Sequence, residues 1–329
     1  MSPDKTLAVW RLALSSLQRE IPVILLYVLE SKGSSPGRQG FLMIVNALGE
    51  MEGSIGGGIM EHKFTELARE RLQEGQTILS VKRQVHDKES PKDQSGMICS
   101  GEQTNLLYSL QPSETGTLEK IIASLEQHRN GCLTLSPRGV AFDERPPGKD
   151  FDFLPIAAAD WVYQEKTGYR NRLFIIGGGH VALAFSRIIR TMDFYITLFD
   201  DRQGLDSLTR NEFVHERILL PDYRELSRLI QGGETHYIVV MTQGYRTDDL
   251  AVRALLPLDF RYFGLLGSKA KVEKMLAAYR LEGIGEERLQ RLSAPAGLAI
   301  RSQTPEEIAV SIAAEIIQKL PREEKPLEE

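Results

Sequence analysis

Two triple glycines raise the first chemical question: GSIGGGIMEHKF, Gly53 to Phe64, and LFIIGGGHVALAF, Leu173 to Phe185. Each follows an apolar run and precedes a helix-like pattern. A bend made of glycine exposes backbone N–H groups with no side chain in front of them, so it can cradle a phosphate. A third reactive group is the thiol of Cys99, in the long polar stretch HDKESPKDQSGMICSGEQ, His86 to Gln103. A thiol in a reachable loop can be activated by main-chain dipoles. Inert packing is the ordinary fate of a free cysteine, and Cys132, in the apolar segment GCLTLS, is read that way. Glu61 and His62 open the helix beside the first glycine loop, where an acid-base role competes with that of a solvated first turn.

The second triple glycine meets four conditions at once. Gly177, Gly178, Gly179, His180 and Val181 lead to Ala182 in the pattern G-x-G-x-x-A, after a buried-type strand and at the start of a helix. Asp200 ends the next strand, at about the 20-residue separation expected of a group that binds a ribose hydroxyl. Gly177 permits the turn, Gly179 lets the chain approach a pyrophosphate, Ala182 packs helix on strand, and His180 lines the loop. Asp200 favours NAD or another adenine nucleotide, and Arg202 nearby weakens the preference against a 2′-phosphate. A Rossmann-like fold whose site has decayed is the bland alternative. Gly244, in TQGYRTDD, falls at the carboxyl end of the strand YIVVM. Ser268 and Lys269, in GSKAK, sit at a further helix start, as anion contacts or as an ordinary capped turn.

The elements that must position these groups are legible as pattern. Asp4 precedes an apolar helical rhythm ending near Glu20, and strands are expected over Ile21–Leu29 and Phe41–Val45. The intervening loop SKGSSPGRQG carries Gly33, Ser34, Ser35 and Arg38, with N–H groups free to turn toward a ligand. A helix follows from Ile59 to a stop at Gly75, then a strand over Thr77–Val85, another over Asn105–Leu110, a helix over Thr117–His128 and a hairpin about Ser136–Gly139. Residues from Asp143 to about Arg170 read as a join. From Leu173 onward, apolar runs alternate with helical patterns, which is how a parallel sheet with crossover helices is written. The expected architecture is α/β: a smaller N-terminal α+β domain over residues 1–165, a Rossmann-like parallel sheet with helices on both faces over 170–320, and a charged tail, 321–329.

Composition narrows the function classes. The chain has 329 residues, 42% hydrophobic and 26% charged, with a net charge of -5 and no basic cluster, which argues against nucleic acid as a partner. The longest apolar run, Ile21 to Leu29, is too short to span a membrane, and no signal-peptide pattern opens the chain. Two cysteines make no disulfide framework, which suits a reducing cytoplasm. The six histidines show no metal-ligand spacing, so no protein-built metal site is expected.

Together, GSSPGRQG, GSIGGG, the Cys99 segment, IIGGGHVA, FDDR, YFGLLGSKAKV and SQTPEEIAVSIAAEII resemble, in order and over nearly the whole chain, the xanthine dehydrogenase accessory factor family (the XdhC/CoxI family). The resemblance implies a cytoplasmic, homodimeric maturation factor rather than a free-standing catalyst. Its cargo would be molybdenum cofactor, sulfurated with help from a cysteine desulfurase and inserted into a molybdenum hydroxylase of the xanthine dehydrogenase type. Gly56, Gly57 and Gly58, with GSSPGRQG opposite, would hold the pterin and its phosphate, and Arg38 would add positive charge. Cys99 matches a family cysteine. Four positions depart from the family pattern: Ile59 stands where a cysteine usually follows the triple glycine, Ser100 replaces a glycine, Tyr245 a histidine and Ala299 an aspartate. Isoleucine can be neither a soft ligand nor a sulfur carrier. The readings from other classes are an NAD-dependent oxidoreductase and a nucleotide-sensing regulatory module.

Overall fold

A computed structural model describes residues 2–33, 35–86, 101–157 and 160–321. The chain forms two compact units that divide between Tyr169 and Arg170. The first contains α1 (Pro3–Gln18), β1 (Val23–Gly33), β2 (Leu42–Asn46), β3 (Met51–Gly53), α2 (Gly58–Gln73), β4 (Leu79–His86), β5 (Gly101–Ser109), α3 (Thr115–Glu126), β6 (Gly131–Ser136), β7 (Gly139–Asp143), β8 (Phe151–Ala157) and β9 (Asp160–Thr167). The second contains β10 (Asn171–Ile176), α4 (His180–Ile189), β11 (Phe194–Asp200), α5 (Asp206–Thr209), β12 (Glu216–Leu219), α6 (Leu226–Leu229), β13 (Gly233–Val240), α7 (Tyr245–Leu255), β14 (Phe260–Leu265), α8 (Lys269–Leu281), α9 (Glu286–Leu289), β15 (Leu292–Ser293) and α10 (Pro305–Lys319).

In the first unit a five-stranded antiparallel sheet runs β3-β2-β1-β5-β4. Its central strand is the unbroken apolar run of the sequence, and a strand with no polar face must be covered twice. One face, with Val23, Leu25 and Tyr27, packs on α1, α3 and the smaller sheet; the other, with Ile24, Leu26 and Val28, packs with Phe64 and Ala68 of α2. β1 runs on past the expected end at Leu29 to Gly33, after a register shift between Val28 and Glu30. The smaller sheet, β7-β6-β9-β8, places two strands where the sequence reads as a join. Their signal is weak because β8 carries Pro155, tolerated at a sheet edge. β9 alternates instead, burying Trp161, Tyr163, Glu165 and Thr167.

In the second unit six parallel strands lie in the order β12-β11-β10-β13-β14-β15. Period-two burial along β10 sends Leu173 and Ile175 to the face covered by α4 and α10, and Phe174 and Ile176 to the face covered by α7 and α8. The chain order reverses between β10 and β13, so the crevice of an open parallel sheet opens at their carboxyl ends. There the backbone packs tightly: Gly177 has φ +110, and a Cβ on it would lie 2.4 Å from the carbonyl oxygen of Met241. Gly179 has φ -70 and nothing within 4 Å of its Cβ position. Gly177→Ala is therefore expected to cost about 3 kcal/mol and to lower the Tm of this unit by roughly 6–12 °C. Gly179→Ala should stay within about 1 kcal/mol of wild type in the same thermal denaturation.

Candidate functional site

The first glycine loop is a closed piece of hydrogen bonding. Gly56, Gly57 and Gly58 have φ +123, +74 and +68, values that only glycine adopts at low cost. The segment GSSPGRQG lies directly against the loop: a Cβ on Gly56 would meet Gly37 N at 2.2 Å, and one on Gly37 would meet Ile55 O at 2.0 Å. Gln103, fully buried on β5, joins the two by accepting Gly37 N–H (3.1 Å) and donating to Ile55 O (3.1 Å).

The amides of this bend have a partner inside the chain. One oxygen of Glu61, Oε2, accepts Ile55 N–H (3.0 Å), Gly57 N–H (3.1 Å) and the Ser54 hydroxyl (2.6 Å). Glu61 is thus neither a solvated first-turn residue nor a free base; it stands where an anion would. Gly57 keeps open space on its Cβ side, while Ile59 is 48% exposed. Ser35 is buried and donates to Gly37 O (2.8 Å), and exposed Arg38 donates to Gly33 O (3.0 Å), at the end of β1. Ser34, Cys99 and Ser100 lie outside the described residues.

At the head of the Rossmann sheet the same device recurs. Gly177 N–H donates to Phe199 O (2.7 Å) and Gly178 N–H to Asp200 Oδ2 (2.6 Å), while Gly178 O accepts from buried Ser207 (2.6 Å). The open part of the loop is therefore Gly179 and the first turn of α4, which no side chain caps, with His180 exposed beside it. Asp200 is fully buried. Its Oδ1 accepts Arg202 N–H and Nε–H, both at 2.8 Å, and its Oδ2 also accepts Arg202 Nη2–H at 2.6 Å. Burial alone would raise this carboxyl, but the hydrogen bonds from Arg202 and Gly178 outweigh it and hold the group below its ordinary value of 3.8.

The stretches that follow β13 and β14, TQGYRTDD and GSKAK, hold between them a pair whose partnership neither motif announces. Fully buried Asp248 accepts Thr242 N–H (3.0 Å) and the Thr242 hydroxyl (2.6 Å), and is in contact with Lys271 Nζ, which also donates to Leu266 O (3.1 Å). Lys271, not the exposed Lys269, is the lysine tied into this edge, and Ser268 caps α8 by accepting Lys271 N–H (3.3 Å). Gly244 caps α7 with open space around it, and Lys274 Nζ lies 5.5 Å from the ring centre of Tyr245. Asp248 and Lys271 stand 23 positions apart, so no local spacing betrays their pairing. Among the described residues no cluster of His, Cys, Asp and Glu could hold a metal, and no helix is long and apolar enough to cross a membrane.

The strand order and the glycine turn at its switch point define a Rossmann-type domain, joined in one chain to an antiparallel domain with its own glycine loop. Family models place it further. Residues 173–316 match the XdhC Rossmann domain and residues 16–82 the XdhC and CoxI family, so the chain belongs to the XdhC/CoxI family. Over 303 residues it is 25% identical to the uncharacterized protein YqeB of Escherichia coli, covering 92% of this chain and 44% of that protein. Over 80 residues it is 38% identical to a probable xanthine dehydrogenase subunit of Bacillus subtilis, covering 24% of this chain and 22% of that protein. The chain thus spans less than half the length of these curated relatives. A crystal structure of a xanthine dehydrogenase from Bacillus halodurans shares the fold, with TM-score 0.67 and 23% identity over 97% of this chain and 96% of that one.

The electrostatics of Asp200 give a pH test with a definite sign. Its pKa is depressed in the folded state, so its contribution to stability is complete above the ordinary carboxyl value of 3.8 and is lost as pH falls through the folded value. The stability difference between wild type and Asp200→Asn, measured by urea unfolding, should be largest near neutrality and shrink with acid below that value. A difference independent of pH would contradict it.

Proposed function

We propose that the protein is an accessory factor that binds molybdenum cofactor and helps to equip a molybdenum hydroxylase of the xanthine dehydrogenase type. The observation that carries this reading is the match of both XdhC family models, in order, along one chain. The kinship with a probable xanthine dehydrogenase component supports the choice of client. In this reading the protein works in the cytoplasm as a homodimer, with a cysteine desulfurase as the source of sulfur. The thiol available for a sulfur relay is Cys99, because Ile59 supplies none.

The cargo's anionic groups would be met by the first glycine loop, with Gly56, Gly57 and Gly58 on one side and Gly33, Ser34, Ser35 and Arg38 on the other. Arg38 is exposed and carries the charge for this task. A phosphate there would compete with the Glu61 carboxylate for the amides of Ile55 and Gly57. That competition makes the site suited to transient holding, since cargo that must be passed on should not be bound irreversibly.

The second domain, in the same reading, takes NAD or another adenine nucleotide. Gly179 and the uncapped first turn of α4 fit a pyrophosphate: no Cβ intrudes, and the helix N-terminus favours an anion. Gly244 and Lys269 border the same edge of the sheet. An oxidoreductase would need a proton donor facing the nicotinamide; Asp248 and Lys271, at this edge, are engaged with each other.

Purified protein mixed anaerobically with molybdopterin and passed through a desalting column should retain the cofactor, whereas failure by a folded sample would remove the delivery role. Cys99→Ser should retain cofactor yet fail to activate the client hydroxylase. Unchanged client activation would take the sulfur relay away from Cys99.

A further inference from the structure

Asp200 sits where a Rossmann domain places the acceptor for ribose hydroxyls, but its acceptor capacity is spent. A carboxylate offers about four lone-pair positions, two on each oxygen. Oδ1 accepts Arg202 N–H and Nε–H, and Oδ2 accepts Gly178 N–H and Arg202 Nη2–H, at 2.6–2.8 Å throughout. The carboxylate is fully buried and the Arg202 side chain is 28% exposed. The guanidinium therefore covers the group that a ribose would have to reach.

The pair does not become a phosphate receptor instead. Asp201 Oδ1 lies 3.9 Å from Arg202 Nε and accepts the Tyr223 hydroxyl at 3.1 Å. One cation thus stands among two carboxylates, and the balance of charge does not favour a dianion. The neutral diol finds no open lone pair on Asp200, and the 2′-phosphate is disfavoured by charge.

We infer that Arg202 is the specificity-determining latch of the ribose subsite: while it chelates Asp200, the crevice binds an adenine nucleotide through its phosphates without reading the ribose hydroxyls. The inference rests on the reading that this crevice takes an adenine nucleotide. Releasing Arg202 would leave one open lone pair on each oxygen of Asp200, because the backbone amides of residues 178 and 202 remain as donors. A diol could then be read by both oxygens.

Calorimetric titration of the full chain with ADP and with 2′,3′-dideoxy-ADP tests this. Wild type should bind the two within about twofold of each other, whereas Arg202→Ala should bind ADP about tenfold or more tightly than the dideoxy compound. Arg202→Lys keeps the charge but lacks the planar fork that occupies both oxygens with two parallel bonds, and it should shift the ratio in the same direction even if the alanine variant folds poorly. Discrimination by wild type would overturn the latch, as would equal binding by both variants. Binding of neither nucleotide to any of the three folded proteins would instead remove the nucleotide reading, and the latch with it.

Discussion

Bends built from glycine leave backbone N–H groups pointing at a common centre, and in this protein the chain's own carboxylates fill those centres. Glu61 takes the amides of Ile55 and Gly57, Asp200 that of Gly178, Asp248 that of Thr242 and Glu315 that of Gly297. Each is a charge-assisted bond, worth roughly 1.5–3 kcal/mol when it replaces an unsatisfied group. The rest of the site geometry follows from this pairing. It keeps strained turns in one conformation without a ligand, and it sets the terms on which any external anion could enter. At Gly179 no carboxylate intervenes; at Gly57 one does.

The two domains use the device on different scaffolds. In the antiparallel domain the loop is fastened from behind by Gln103, whose side-chain amide donates to one loop and accepts from the other. In the parallel domain the fastening is ionic: Arg202 on Asp200 and Lys271 on Asp248, each with one partner fully buried. Removing one member of such a pair is costly because it strands a buried charge, whereas the intact pair adds little net stability. Their value is positional. They fix where the carboxyl ends of β11, β13 and β14 hold their side chains, and so what a bound nucleotide would meet.

Much of the scaffold is legible in the sequence because it is written locally. The alternation of LFII, YITLF, YIVVM and YFGLL with helical segments announces the parallel sheet, because buried parallel strands and their crossover helices each carry their own local pattern. The segment after Asp143 reads as a join because β8 and β9 carry polar and proline residues that only tertiary pairing makes into strands. The site is less legible, since its partnerships are non-local. Gln103 is an ordinary residue in a polar run until β5 sets it between two loops. Glu61 is conspicuous for its place on a helix, but not for the loop it reaches back to. Asp200 is found by its spacing from Gly177, yet spacing cannot show that Arg202, two residues on, folds back over it.

Hydrogen exchange of individual backbone amides tests most directly whether internal carboxylates hold the glycine bends. In wild type the amides of Ile55, Gly57 and Gly178 should exchange slowly despite lying in loops. Glu61→Ala should speed exchange at Ile55 and Gly57 while leaving Gly178 unchanged. Rapid exchange at these positions in wild type, or no response to loss of the Glu61 carboxylate, would contradict the self-satisfied bends on which the proposed ligand competition depends.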